Sequence, residues 1–403
     1  MKSTRMTPVE LRASLSLAGI FALRMLGLFL VLPVFALEAR GYAGGSDPAR
    51  VGLAMGVYGL TQALLQLPFG LASDRLGRKP VIVAGLLVFL AGSLVAAFAT
   101  TLDGLIIGRS LQGAGAISAA VTALLADQTR DAVRTKSMAL VGGGIGLMFA
   151  LSLVLAPMLV ALVGLSGLFA LTALLAMAGV VIVLWVTPPE PAERPVVSRG
   201  SLFTVLRNAA LMRLNLGVFV LHAVQLAMWM AVPAMLVQAG LPREHHWWVY
   251  LPAVLASFGV MGSTLFPLER RGYLRAVFLA AIGLVMLVQV GLLLEAGVSP
   301  GLPGLALLLF VFFCGFNVLE ASQPSLVSRL APATSRGAAL GVYNTLQSLG
   351  LFAGGAFGGV LLSRLGSQGM FATSAVAMLV WLALAWPMHA PAASHLPAAA
   401  EVA

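Results

Sequence analysis

The sequence predicts an all-α polytopic membrane protein: twelve transmembrane helices in two pseudo-symmetric bundles of six, with both termini in the cytoplasm. Three observations carry this expectation. The 403-residue chain is 60% hydrophobic and only 9% charged, with a mean hydropathy of +1.00, whereas a soluble domain needs roughly a quarter charged residues. Its apolar residues gather into twelve runs, each close to or above the ~20 residues that cross a bilayer core. Its lysines and arginines crowd into alternate gaps between those runs.

The first run, 15–37, follows Lys2, Arg5 and Arg12. It is longer than the apolar stretch of a signal peptide and lacks a small-x-small cleavage site, so it reads as a retained span. Runs at 51–71, 80–99, 104–126, 137–163 and 166–187 complete a first bundle over 1–187. A polar stretch with several prolines, beginning at Pro188, reads as a cytoplasmic linker over 188–210. Runs at 211–238, 248–267, 275–297, 303–328, 338–363 and 369–388 form the second bundle, 211–388. Residues 389–403, rich in Pro and Ala, read as a disordered cytoplasmic tail. Each run must be helical, because backbone groups in lipid find partners only within their own segment or in a closed barrel. The runs are too long and too evenly apolar for barrel strands.

With the N-terminus in the cytoplasm, eighteen Lys and Arg fall on that side and four on the other: Arg40, Arg50, Arg243 and Arg364. Arg24 and Arg109 lie within spans. This is a strong positive-inside bias. It also accounts for most of the net charge of +10 without nucleic acid, for which no basic stripe or stacking platform is present. The excess of Arg over Lys fits a GC-rich genome and a bacterial source; the expected location is the bacterial inner membrane. Cys314 is the single cysteine and sits in an apolar run, so it reads as a small buried residue outside any disulfide.

No H-E-x-x-H or cluster of nucleophiles appears in the spans, and no G-x-x-x-x-G-K-[ST] loop is present to bind a nucleotide. An enzyme, a metal site and a cofactor are therefore not expected, and the proton gradient is left as the energy source. His245, His246, Trp247 and Trp248 form an interfacial anchor; two adjacent histidines cannot complete a metal's coordination sphere. Short matches about two hundred residues apart relate the halves: Leu32-Pro33 with Val232-Pro233, Asp74 to Gly77 with Glu269 to Gly272, and Ala139-Leu140 with Ala339-Leu340.

Three side chains stand out inside spans. Glu320 is the one acidic residue placed well within a run, and a lone membrane carboxylate is a functional candidate by default, here for carrying protons. The alternative is a glutamate that only holds helices together. Arg24 is a candidate counter-charge to it. Arg109 must face protein or water, since burying an arginine in lipid costs at least ~2.5–3.5 kcal/mol. His222, Gln225 and Trp229 share one helix face, and His222 reads either as a proton carrier or as a packing residue. Gln62, Gln66, Gln289, Asn317, Asn344 and Gln347 are further candidates for a polar lining.

The turn Gly70-Leu-Ala-Ser-Asp74-Arg75-Leu-Gly77-Arg78-Lys79, between the second and third runs, resembles the signature of the major facilitator superfamily. Arg109-Ser-Leu-Gln112-Gly113-Ala-Gly115-Ala116 resembles that family's R-x-x-Q-G-x-G-A pattern. The efflux signature of the fifth span survives only in part, with Gly143 and Pro157 kept and most other glycines replaced. Together with Tyr58 to Gln62, Leu67 to Gly70 and Phe316 to Ala321, these motifs resemble the YajR-type branch of drug/proton antiporters over essentially the whole chain. Members of that branch can carry a cytoplasmic domain after the last span, and none is expected here.

The resemblance implies alternating access around a cavity lined by the first and seventh spans, with Gln62, Gln225, Trp229, Gln289, Asn317 and Asn344 facing the substrate. It implies a cytoplasmic gate of Gly70, Asp74, Arg75, Gly77, Arg78, Lys79 and Asp127, in which Asp74 latches the halves and Arg78 meets Asp127. It further implies proton coupling through Glu320, Arg24, Arg109 and His222, and close helix packing at Gln112, Gly113, Gly143 and Pro157. The expected partners are a small molecule, protons and the lipid bilayer, around a monomer. The expected activity is proton-coupled efflux of amphipathic, drug-like compounds. Uptake of a sugar or organic anion, with Arg24 and Arg109 as anion ligands, is the alternative, and a non-transporting sensor is a third.

Overall fold

The computed structural model describes residues 5–190, 202–332 and 335–388. The tail expected over 389–403 lies outside the described residues, as does 191–201 of the expected linker. Apart from one isolated bridge between Ala43 and Thr101, the described residues hold no β structure and are predominantly helical.

Helix α1 (Pro8–Phe29) opens with a capping box, the Thr7 hydroxyl taking the Glu10 N–H and the Glu10 carboxylate taking the Thr7 N–H. It breaks before α2 (Leu32–Glu38), where Pro33 has no N–H to continue the ladder. Helices α3 (Pro48–Leu76) and α4 (Arg78–Ala97) meet at Gly77, whose φ of +107° suits glycine. Next come α5 (Leu102–Ala114), capped by Thr101, and α6 (Ser118–Asp127), split at residues 115–117. They are followed by α7 (Asp131–Val181), the short α8 (Leu202–Arg207) and α9 (Ala209–Gln238). The last four are α10 (Trp247–Arg270), α11 (Leu274–Glu295), α12 (Leu302–Leu330) and α13 (Arg336–Ala385).

Two helices are far longer than one crossing needs. The backbone of α7 turns at Gly164 (φ 67°, ψ −179°) and that of α13 at Gly366 (φ 67°, ψ −174°). Each turn is followed three residues on by a second glycine and two residues later by a fully buried phenylalanine, Phe169 or Phe371. This is a further repeat between the halves, in geometry as well as sequence. Among the described residues, eight helical stretches are long and apolar enough to cross a membrane. The broken pair α5–α6 is not one of them, because its parts are 13 and 10 residues long.

The chain reversals define two ends. Those at 39–47, 98–101, 239–246 and 296–301, with Gly164 and Gly366, lie at an arginine-poor end; those at 77, 128–130 and 271–273, with the C-terminus of α12 and the N-terminus of α13, lie at an arginine-rich end. At the arginine-poor end the halves share one core, in which Val31, Phe35, Ala54, Met55, Phe149 and Leu153 join residues of α9 to α13. At the arginine-rich end the first half has a core of its own, built from Leu17, Ile82, Leu86, Val121, Leu124 and Val183.

The seam between α3 and α13 shows how closely the halves approach. A Cβ on Gly52 would stand 2.2 Å from the Gly355 carbonyl oxygen, and one on Gly59 2.3 Å from that of Ser348. Toward the arginine-rich end this packing is lost: a Cβ on Gly142, Gly143, Gly337 or Gly341 would meet nothing within 4 Å. The halves are thus joined at one end and parted at the other. Gly143 therefore makes no close helix contact, contrary to the sequence expectation. Gly70 makes none either, since a Cβ there would meet only Ala119, at an ordinary 3.6 Å.

Candidate functional site

The first polar cluster forms where α9, α12 and α13 converge. Glu320, on α12, keeps 37% of its side-chain exposure, and its Oε2 lies 3.5 Å from Nε2 of the buried His222. The Gln347 amide donates to Glu320 Oε1 at 3.2 Å and lies 2.8 Å from His222 Nε2. His222 Nδ1 faces the Val218 carbonyl one turn back, at 3.0 Å. That carbonyl assigns the ring proton to Nδ1, so Nε2 accepts from Gln347. The partners of Glu320 are thus His222 and Gln347, and Arg24, the expected counter-charge, is engaged elsewhere. Asn317 donates to the Ser257 hydroxyl at 2.8 Å and ties α12 to α10.

Arg24 centres the second cluster. It is 2% exposed, and its Nη2 donates to Tyr58 Oη at 2.9 Å, the Gly115 carbonyl at 3.1 Å and Gln62 Oε1 at 3.2 Å. The break between α5 and α6 presents that carbonyl. Arg109, also 2% exposed, donates to Gln112 Oε1 at 2.9 Å and to the Met55 carbonyl at 3.4 Å. Both guanidinium groups stand over the Tyr58 ring, at 6.0 and 5.0 Å. Gln112 in turn donates to Ser93 at 2.8 Å. Gly113 lets α5 rest on α3, since a Cβ there would be 2.1 Å from the Tyr58 carbonyl oxygen.

The clusters meet across the seam. Gln62 accepts from Arg24 and donates to the Ser348 hydroxyl at 2.9 Å; Ser348 is the neighbour of Gln347. Toward the arginine-poor end, Phe149 of α7 contacts Phe29 of α1 at 5.2 Å and Phe316 of α12 at 6.0 Å. These rings roof the polar clusters. Asn344 lies half-buried one turn before Ser348, whose hydroxyl its carbonyl accepts. Gln225, Trp229 and Gln289, expected at the cavity, are buried inside the second bundle. Trp229 is fully covered and packs edge-on to Tyr250 at 5.4 Å, because an indole gains more from that apolar packing than from a wet face.

At the arginine-rich end, Arg78 pairs with Asp74 one turn before it and with Asp127 of α6 at 3.2 Å, and donates to Ser73 at 2.8 Å. Arg75 is exposed. The Glu190 carboxylate accepts the backbone N–H groups of Arg78 at 3.1 Å and Lys79 at 2.6 Å. It thereby caps the N-terminus of α4, where a negative charge is favoured. Lys79 Nζ donates to the Thr187 carbonyl at 2.6 Å. On the same face the Glu10 carboxylate binds Arg130 at 2.7 Å and holds that guanidinium above its ordinary pKa. Pro157 lies inside α7.

Glu320, His222 and Arg78 with Asp127 were legible as single residues or as a pair. Glu190, Ser348 and Phe149 were not singled out. Glu190 left one signal, a carboxylate in the linker with a helix N-terminus to find. Ser348 and Phe149 left none, since a serine or phenylalanine in an apolar helix is unremarked.

A family model described as Major Facilitator Superfamily matches residues 17–354 and 267–402. The inner membrane transport protein YajR of Escherichia coli (strain K12) is 41% identical, over 97% of this chain and 86% of that protein. The multidrug resistance protein MdtH of Aeromonas salmonicida (strain A449) is 28% identical, over 86% of each. Among solved structures, that of the nucleoside transporter NupG superposes with a TM-score of 0.75 at 15% identity, covering 93% of this chain and 99% of that one. The chain belongs to the major facilitator superfamily and is a multi-pass inner-membrane transporter, not an enzyme.

Proposed function

We propose that this transporter exports small amphipathic compounds in exchange for protons, by alternating access between its two halves. The observation that carries the reading is the Glu320–His222–Gln347 cluster: a carboxylate and an imidazole within 3.5 Å, in the middle of long helices, beside the seam where the halves meet. The likeness to a protein named for multidrug resistance supports efflux. The aromatic roof of Phe29, Phe149 and Phe316 suits a partly apolar cargo.

In this reading twelve crossings place both termini and the arginine-rich end in the cytoplasm, so the parted end opens inward. Protons enter from outside when the halves rock, and no cofactor is needed. The monomer is the working unit. Arg24 and Arg109 are buried among protein acceptors, which favours a positioning role over capture of a substrate anion and disfavours uptake of organic anions. Glu320→Gln keeps the Gln347 hydrogen bond but cannot release a proton. In proteoliposomes it abolishes pH-driven counterflow and leaves energy-independent exchange of a lipophilic cation intact. Unchanged pH-driven counterflow in that variant would refute the role assigned to Glu320.

A further inference from the structure

Gln347 belongs to the cluster that carries the reading above without a task of its own there; among the described residues its amide alone hydrogen-bonds to both titratable members. Its Nε2 carries two hydrogens, and the geometry uses both: one toward His222 Nε2 at 2.8 Å and one toward Glu320 Oε1 at 3.2 Å. This arrangement requires that neither His222 Nε2 nor Glu320 Oε1 carries a proton. Neutral His222, with its proton on Nδ1 against Val218, offers a lone pair at Nε2; ionised Glu320 offers another at Oε1.

A proton arriving at His222 Nε2 turns that acceptor into a donor facing an amide N–H. A proton arriving at Glu320 Oε2, 3.5 Å from the same nitrogen, makes an O–H that competes with Gln347 for it. In either case Gln347 must give up a hydrogen bond or turn its amide. The next residue along α13, Ser348, receives the only side-chain hydrogen bond that Gln62 gives to the second half, at 2.9 Å, among the described residues. Gln62 itself is held by Arg24.

We infer that Gln347 is the positioning residue of proton coupling: its amide holds Glu320 and His222 in a single proton-sharing pair and, through the adjoining Ser348, ties their protonation to the Gln62 bond across the seam. The inference rests on the proposed proton-coupled transport. Few other groups compete for the role. Tyr343, buried on α13, lies within reach of the Glu320 charge, and Cys314 is buried on α12. In the first half the candidates are Arg24, Tyr58 and Arg109. Between residues 137 and 187 of α7 and beyond, 251 and 268 of α10, and 276 and 294 of α11, no titratable side chain occurs.

The test is the pH profile of counterflow in proteoliposomes for Gln347→Leu, Gln347→Asn, Ser348→Ala and the double variant Gln347→Leu/Ser348→Ala, with Glu320→Gln alongside. Folding is checked by thermal melting. The expected result is a midpoint moved by about one pH unit in Gln347→Leu. The double variant should move the midpoint no further than Gln347→Leu alone, because the two residues act in series. A folded Gln347→Leu with the native midpoint overturns the inference; should that variant not fold, a native midpoint in Gln347→Asn does the same. If Glu320→Gln itself keeps a native profile, the proposed function fails instead, so the two failures are distinguishable.

Discussion

Single residues here work by pairing groups that the chain keeps far apart. Arg78 stands between two carboxylates, Asp74 and Asp127, and its rigid planar fork presents separate nitrogens to each, a geometry that the flexible, compact ammonium of a lysine reproduces less well. Arg78→Ala removes the cation from between them and should lower stability by about 1–3 kcal/mol, the cost of leaving a charged hydrogen-bond partner unmatched; Arg78→Lys should recover only part of this. Thermal melting in detergent checks the order of the three proteins. The pair Arg78–Asp127 was legible because both residues flank short turns on one face. The pair His222–Glu320 was not, since 98 positions separate them and nothing in helix periodicity says which faces of α9 and α12 meet. The expectation that Arg24 balances Glu320 failed for a related reason: opposite charges in spans invite pairing on paper, but Tyr58, Gln62 and Gly115 hold the Arg24 Nη2 within the first half.

Among the elements, α3 and α13 are the most informative. Their run of facing glycines brings backbone against backbone at the arginine-poor end, and a Cβ on Gly355 would lie 2.5 Å from the Gly52 carbonyl oxygen. Gly355→Leu should therefore wedge the seam. Overpacking of this kind costs about 1–3 kcal/mol, borne only by the conformation that is shut at that end. The population should move toward the opposite opening by a factor of about five to 150. The check is labelling of Val51→Cys, which is nearly covered in this structure, by a membrane-impermeant maleimide from outside, in a Cys314→Ser background. Faster labelling in the Gly355→Leu protein is expected, and an unchanged rate would contradict this. The sequence shows where apolar runs lie, because lipid imposes their length. It does not show that the seam is built of glycine, because small residues in a span pack equally well against any neighbour.

For the whole molecule, the sidedness of the ends decides how everything else is read. Reporter fusions should show enzymatic alkaline phosphatase after residues 43 and 240, and inactive enzyme after residues 77 and 272. Phosphatase activity at 77 would reverse the proposed orientation and turn an inward-opening structure into an outward-opening one. The fold was legible at this scale because hydropathy and charge asymmetry act over the full chain. The offset between the ends, joined at one and parted at the other, was not, since both openings of a rocking molecule use the same sequence.

A joint whose closest backbone contacts are made by glycines has an unusual thermodynamic property. At those contacts closing freezes no rotamers and opening releases none, so the cost of ordering side chains falls only on the larger residues around them. The balance between the two openings is then left to the handful of groups that differ between them. Against so level a background, even one proton, worth about 1.4 kcal/mol for each unit of pKa difference, is enough leverage to tip the whole machine.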